Sequence, residues 1–243
     1  MRLLSYNIHK AVGGRDRRYS LERILKVIDE TQPDLICLQE VARQSKRSRY
    51  HDQPSLIEEH FEAAGRLFQL NVNWREGGYG NLLLSRWPLE THHQISLRLY
   101  NKKPRGAQLA VINTPEGPLH LVNIHLGLAE AERHWQIKHL LGHGTFREAS
   151  HVPTIIAGDS NDWRNTLLKS TFTEHGFEHL TAPPGRYRTF PAYLPMGSLD
   201  KAFCRGDVKL REVKIPRTAL TRAASDHLPL VVDFDLQAAG NHS

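Results

Sequence analysis

Six short polar clusters carry the groups in this chain that could do chemistry: Ser5-Tyr6-Asn7, Gln39-Glu40, Asn123-Ile124-His125, Asp159-Ser160-Asn161, Leu199-Asp200 and Ser225-Asp226-His227. The first five end apolar, strand-like runs, and the sixth directly precedes one. Singly, each is an ordinary strand emerging into a polar loop. Together they imply one crevice, because the ends of neighbouring strands in a sheet converge. Their side chains are carboxylates, carboxamides and imidazoles, which are the groups that hold a hard cation and a phosphate.

Hard divalent cations take oxygen ligands, and Mg²⁺ uses one or two carboxylates together with water and substrate phosphate. Glu40 and Asp226 suit that role, with Asn7 close by to ligate or to orient water. Hydrolysis also needs a base near the attacking water. Asp159 is the candidate, with Asn161 two residues on to position the nucleophile or a phosphate oxygen. Negative charge gathers in the transition state, where His227 and His125 can stabilise it. Asp200 can fix the tautomer of His227. The chemistry expected is hydrolysis of a phosphate ester with Mg²⁺ or Mn²⁺ as cofactor. A rival reading takes Gly158-Asp159-Ser160 as similar to the nucleophile block of GDSL esterases, with Ser160 attacking an acyl ester. It leaves Glu40, Asn7 and Asp200 without a role, and Asp162 stands where a nucleophile elbow needs its second glycine.

The elements that position these groups alternate along the chain, which implies one α/β domain over residues 1–236 and a loose tail at 237–243. Apolar runs predict strands at 3–8, 34–41, 67–74, 81–85, 94–99, 107–113, 119–126, 154–157, 198–204, 208–214 and 228–236. Helices are predicted after an N-cap at Ser20, over 54–64 with Gly65 as C-cap, over 129–141, and over 163–174. Gly77-Gly78-Tyr79-Gly80 reads as a glycine turn, and no internal repeat is visible. Cys37 and Cys204 lie in apolar runs at a separation that fits no zinc pattern, so two buried thiols are expected. No apolar run reaches the ~18 residues of a membrane span. Met1-Arg2-Leu3-Leu4 turns polar at Ser5, unlike a secretory leader, so a cytoplasmic monomer is expected. The formal charge of +6 favours an anionic partner, nucleic acid or a lipid headgroup. Aromatic residues do not interleave densely with basic ones, so no platform for stacking single strands is expected.

Seven blocks stand in an order that resembles the endonuclease/exonuclease/phosphatase superfamily: SYNIH (5–9), LQE (38–40), NLLLSR (81–86), NIHL (123–126), GDSN (158–161), SLDKAF (198–203) and SDHLPL (225–230). That resemblance implies a four-layered, DNase I-like α/β sandwich of two central, mainly antiparallel sheets flanked by helices. It implies Asn7, Glu40 and Asp226 at the metal, Asp159 and Asn161 on the water, and His227, supported by Asp200, at the scissile phosphate. His125 falls where phosphatases and sphingomyelinases of the group contact phosphate, and Arg105 and Asn81 lie in blocks that face substrate. HLGLAEAERHWQ (125–136), GDSNDWR (158–164) and RTFP (188–191) are similar to the bacterial YbhP-like subgroup, which adds Trp163, Arg164, Arg188 and Phe190 as pocket candidates. The run at 77–81 lacks the Ser-Gly-Val-Ala of AP endonucleases, which argues against abasic-site cleavage.

The reading is a divalent-metal-dependent phosphodiesterase using in-line water attack, with DNA as the favoured substrate because phosphate contacts by Lys and Arg supply much of nucleic-acid affinity. A phosphatase, or a phospholipase or sphingomyelinase-like enzyme acting on a lipid or small phosphoester, uses the same residues. From another class, a binding module that kept the fold and lost activity would be expected to have lost Glu40, Asp159 or His227, and all three are present.

Overall fold

Short apolar runs, buried on both faces at the sheet centres, form the strands, and runs with apolar residues three and four apart form the helices. The computed structural model describes residues 1–167 and 171–237. In chain order come β1 (Arg2–Asn7), α1 (Leu21–Thr31), β2 (Leu35–Arg43), α2 (Gln53–Phe61), β3 (Gly65–Asn73) and β4 (Gly78–Ser85). Then follow β5 (Leu89–Ser96), β6 (Gly106–Thr114), β7 (Gly117–His125), α3 (Glu130–Gly142), α4 (Gly144–Glu148), β8 (Thr154–Asp159), β9 (Glu178–His179) and β10 (Asp200–Arg205). The chain closes with β11 (Val208–Lys214), α5 (Ala219–Ala224) and β12 (Leu230–Leu236).

Two six-stranded sheets result, ordered β11-β12-β1-β2-β4-β3 and β5-β6-β7-β8-β10-β9. Each contains one parallel pair, β1 with β2 and β7 with β8, and is otherwise antiparallel. The two orders are one pattern displaced along the chain: a central parallel pair joined by a helical crossover, with antiparallel strands on both sides. The duplication lives in topology and not in any amino-acid repeat.

The inner faces meet in a shared core that includes Leu3, Leu35, Leu83, Leu121, Ile155 and Phe234. Leu4, Ile36 and Leu82 point the other way and pack under Ile24 and Val27 of α1 and Ile57 of α2. On the second sheet Val122, Ile156 and Phe203 pack with Ile137 and Leu140 of α3 and Phe146 of α4. The layers are therefore helix, sheet, sheet, helix, as the motif order implies. Cys37 and Cys204 are buried free thiols in the shared core.

Several boundaries differ from those read in the sequence. Glu62, in the left-handed conformation (φ 54°), caps α2, so Gly65 is not its C-cap. Gly65 opens β3 instead, where an added Cβ would lie 2.6 Å from the Trp87 carbonyl oxygen. Gly78 and Gly80 lie inside β4 and not in a turn, because the Val72 and Gln69 carbonyls approach too closely for any side chain. The predicted strand at 94–99 is β5, which starts at Leu89 and ends at Ser96. The helix predicted from Trp163 begins as turns, because the Asp162 carboxylate accepts the N–H groups of Thr166 (3.2 Å) and Leu167 (3.1 Å). The rest of that prediction includes residues 168–170, which lie outside the described residues. The short α5 was not predicted, and the Thr218 hydroxyl caps it by accepting from Thr221 N–H at 3.2 Å. Of the predicted tail, Gln237 is tied to the Asp207 carbonyl by its N–H at 3.0 Å, and 238–243 lie outside the described residues.

Candidate active site

Along the inner faces the residues change from apolar to amide to ionisable as the strands approach one rim. Cross-strand register then aligns Gly106, His125, Asp159 and Asp200 in one row over β6, β7, β8 and β10. On the facing sheet Asn7 of β1 stands level with Gln39 of β2.

Beneath the row lies a buried layer of carboxamides. Gln39 Nε2 donates to Asn123 Oδ1 at 2.8 Å, and Asn123 Nδ2 donates to the Leu38 carbonyl (3.0 Å) and Gln108 Oε1 (2.8 Å). Gln108 Nε2 donates to the carbonyls of Leu67 (2.6 Å) and Asn81 (3.1 Å). Buried polar groups are mostly bonded, and here the bonds run from sheet to sheet, with Gln39 Oε1 and Asn81 Oδ1 left without a hydrogen-bond partner among the described residues. Asn81 belongs to this layer: it is fully buried and donates to the Gly106 carbonyl at 3.0 Å. Asn81 thus helps join the two sheets behind the row.

Asp159 is the centre of the row. Asn7 Nδ2 donates to its Oδ2 at 2.9 Å and the Asn161 N–H to its Oδ1 at 3.0 Å. The latter bond needs Asn161 in the left-handed region (φ 50°), and its side chain is pinned by donating to the Leu126 carbonyl at 3.0 Å. Two imidazoles face Asp159 Oδ2, His125 Nε2 at 3.5 Å and His227 Nε2 at 3.8 Å. Burial pushes the Asp159 carboxyl up to about 6.

The two imidazoles are held in opposite states. Burial, reinforced by Arg105, lowers His125 well below its ordinary range, so it is neutral. Arg105 Nη1 lies 3.3 Å from His125 Nδ1, and a guanidinium can only donate. The His125 proton is therefore on Nε2, directed at Asp159. Burial opposes charge on His227 as well, but the carboxylates of Asp200 and Asp159 outweigh it and raise the ring to about 10. Its Nδ1–H donates to Asp200 Oδ2 at 2.8 Å. Ser225 positions the His227 segment, with its hydroxyl donating to the Asn7 carbonyl at 2.7 Å and accepting the His227 N–H at 3.3 Å. The arrangement offers one buried carboxylate able to take a proton, one fixed N–H donor and one permanent cation.

At the rim, Glu40 occupies a bulge in β2 (φ 56°), where the register with β4 skips between Leu38 and Val41. Its carboxylate is met by the Lys10 ammonium, and both side chains are largely buried. Burial alone would raise the Glu40 carboxyl, and Lys10 outweighs it and lowers it. Asp226 stands partly exposed with His9 Nδ1 at 3.7 Å from its Oδ1. This donor set is oxygen-only, and the protein's own ammonium already lies against it. Among the described residues no three His, Cys, Asp or Glu side chains form a ready-made metal cage. Glu40 and Asp226 offer carboxylate oxygens, the donor type a hard cation takes.

Other candidates fall nearby or elsewhere. Trp163 is half exposed in the turn after Asp162, and its ring meets Phe190 edge-on at 5.8 Å, while Phe190 lies 4.9 Å from the His227 ring. Arg164 is exposed in the same turn. Ser160 is fully buried, its hydroxyl donating to the Leu199 carbonyl at 2.7 Å, so it faces away from the row and is no nucleophile. Sequence reasoning missed Lys10, His9 and Lys103. A signal existed for the first two, which directly follow the Asn7 cluster in the chain. Lys10 Nζ lies 4.8 Å and Lys103 Nζ 5.4 Å from the Tyr79 ring centre, beside Glu40.

Comparison with known proteins shows the family and the fold. Residues 4–227 match the model of the Endonuclease/Exonuclease/phosphatase family. YbhP of Escherichia coli strain K12 is 28% identical over 249 residues, covering 97% of this chain and 96% of that protein. Among solved structures, an endonuclease/exonuclease/phosphatase from Beutenbergia cavernae superposes with a TM-score of 0.79 at 23% identity, over 98% of this chain and 72% of that one. The human Nocturnin catalytic domain with a bound sulfate gives 0.75 at 20% identity, over 98% and 93%. At these identities the structural likeness speaks for the fold.

Proposed function

The chain belongs to the endonuclease/exonuclease/phosphatase family and is a hydrolase of phosphoester bonds, and from that premise we propose that it is a divalent-metal-dependent phosphodiesterase acting on nucleic acid. The observation that carries the proposal is Asp159: a buried carboxylate raised to about 6, oriented by Asn7 and Asn161, and faced by one neutral and one charged imidazole. In this reading a water held by Asn7 and Asn161 loses its proton to Asp159 as it attacks phosphorus, while the ester P–O bond opposite breaks and the leaving oxygen departs as the alcohol, taking its proton from solvent. The ionised His227 faces a phosphoryl oxygen and offsets the charge that accumulates there. Asp200 keeps that imidazole charged and aligned, and His125 Nε2–H donates to the same phosphoryl group or to Asp159. Glu40, Asp226 and Asn7 would hold Mg²⁺ or Mn²⁺, which when bound supplies electrostatic stabilisation of the phosphate charge. Arg105, buried behind His125, fixes its tautomer, so its part is positioning.

Nucleic acid is favoured by the cations around the site: Lys10, Lys103 and Arg105 beside Glu40 and His125, and Arg15 and Arg17 beside Asp226. The test is hydrolysis of labelled single- and double-stranded DNA with Mg²⁺, Mn²⁺ or EDTA, alongside Asp159→Ala. Metal-dependent cleavage that the variant loses supports the reading. Turnover of bis(p-nitrophenyl) phosphate without cleavage of any DNA would transfer the same residues to a lipid or small phosphoester.

A further inference from the structure

A cleft of about 350 Å³ opens beside the reaction centre, starting at Asp226 and His9 and running outward. Its lining combines the aromatic side chains of Phe190, Trp163 and Tyr193 with the cations of Arg15, Arg17 and Arg222. Trp163 is 51% and Tyr193 55% exposed, which is a large apolar area for a soluble protein to leave open beside a site.

Trp163 and Phe190 are held in place by packing. A Cβ on Gly197 would lie 2.7 Å from the Trp163 ring, so the indole rests directly on the glycine backbone. Its edge is set by Phe190, which in turn packs against His227. Tyr193 is tethered through its carbonyl, which accepts from Arg222 Nη1 at 2.9 Å. A second platform lies at the Glu40 side. Trp74 packs on Tyr79 at 5.1 Å, with Lys10 and Lys103 over Tyr79, and Lys46, Arg47 and Arg75 beside Trp74.

Rings alternating with cations match a chain in which flat bases alternate with phosphates. In a duplex the bases are stacked inside and unavailable to rings, whereas in a single strand each base presents an open face. Resting on the nucleic-acid reading of the same site, we propose that the Trp163–Tyr193 cleft is a stacking subsite for an unpaired base, and that the substrate is a single-stranded or frayed nucleic acid. The base lies between Trp163 and Tyr193, and the adjoining phosphate meets Arg15, Arg17 and Arg222. This reverses the expectation drawn from the sequence, where the basic and aromatic residues are too dispersed to suggest a platform.

The test is binding of the full-length protein, in EDTA, to three fluorescein-labelled probes at one salt concentration: a thymidine 12-mer, the abasic strand of equal length, and a duplex of that length. The thymidine strand is expected to bind about tenfold more tightly than the abasic strand, the scale of one stacked base, and to quench tryptophan fluorescence. Trp163→Ala should erase that difference, with its melting curve checked against wild type. Arg15→Ala should weaken both strands alike and flatten the salt dependence. Equal binding of thymidine and abasic strands, or tighter binding of duplex, would overturn the subsite. So would flotation with phosphatidylglycerol vesicles combined with no oligonucleotide binding, which would assign the same rings to a lipid surface. If DNA is cleaved but the abasic strand binds equally, only the subsite fails. If bis(p-nitrophenyl) phosphate is hydrolysed and no DNA is cleaved or bound, the nucleic-acid reading itself fails.

Discussion

Replacing Lys10 by Met should make the protein bind Mn²⁺ more tightly, although a positive charge has been removed from a phosphate-handling site. The reason is the pair that Lys10 forms with Glu40, both side chains being largely buried. A divalent cation that takes Glu40 must first displace that ammonium. Two unit charges about 4 Å apart at an effective dielectric near 20 attract by about 4 kcal/mol. Roughly half survives the desolvation that any largely buried pair suffers. Giving up about 2 kcal/mol on metal entry corresponds to about 30-fold in affinity, and Lys10→Met removes that competition. Burial acts on Glu40 in the opposite sense and would let a proton replace the lysine. The measurement therefore belongs at pH 8, by titrating free Mn²⁺ with electron paramagnetic resonance. Lys10→Arg, which keeps the charge, should not tighten binding. If Lys10→Met binds Mn²⁺ as weakly as wild type or more weakly, Lys10 does not guard the metal site and the assignment of Glu40 is wrong.

Asp159→Ala should lower turnover by two orders of magnitude or more on the scale of general-base effects, whereas Ser160→Ala should keep turnover and lose about 1 kcal/mol of stability with its bond to Leu199. Rates measured against pH should rise through about 6 as Asp159 ionises and stay level until His227 loses its proton near 10. Stability should do the reverse. Both groups bind protons more tightly folded than unfolded, so the His227 contribution is complete below its ordinary value near 6.5 and is lost as pH rises towards 10. Melting temperature should accordingly fall from pH 6.5 to pH 10, and His227→Gln should flatten that slope. Asn123→Ala should cost about 3 kcal/mol or more in denaturant unfolding, since it strips partners from Leu38, Gln108 and Gln39 inside the amide layer.

Much of the site was legible because of period two. Leu3, Ser5 and Asn7 share one face of a strand, as do Leu121, Asn123 and His125, and Ile155, Ala157 and Asp159. A run that turns polar at its end therefore announces a rim. What could not be read was register between distant strands. Only the fold aligns His125 with Asp159 and Asp200, and only the fold separates Asn81, which joins the sheets, from residues that face the rim. The approach of Lys10 was hidden for another reason. His9, Lys10 and Ala11 all have positive φ (45°, 61° and 59°), a conformation uncommon for non-glycine residues. The helix predicted from Trp163 failed locally because the Asp162 carboxylate offered the backbone a competing partner. The aromatic cleft was invisible because Arg15, Trp163, Tyr193 and Arg222 come from four separate stretches of chain.

The pairing of β1 with β12 has a consequence for how the protein is made. The first strand lies in the interior of its sheet, and one of its two neighbours is the last strand of the chain. Ser225, from the same late segment, bonds the Asn7 carbonyl. Ser225 lies 218 residues further along the chain than the Asn7 it supports, so this part of the site closes late. Until then Asn7 has no Ser225 behind it, and Asp159 has no His227 in front of it. The reaction centre is therefore complete only once the segment carrying Ser225 and His227 has folded back beside β1.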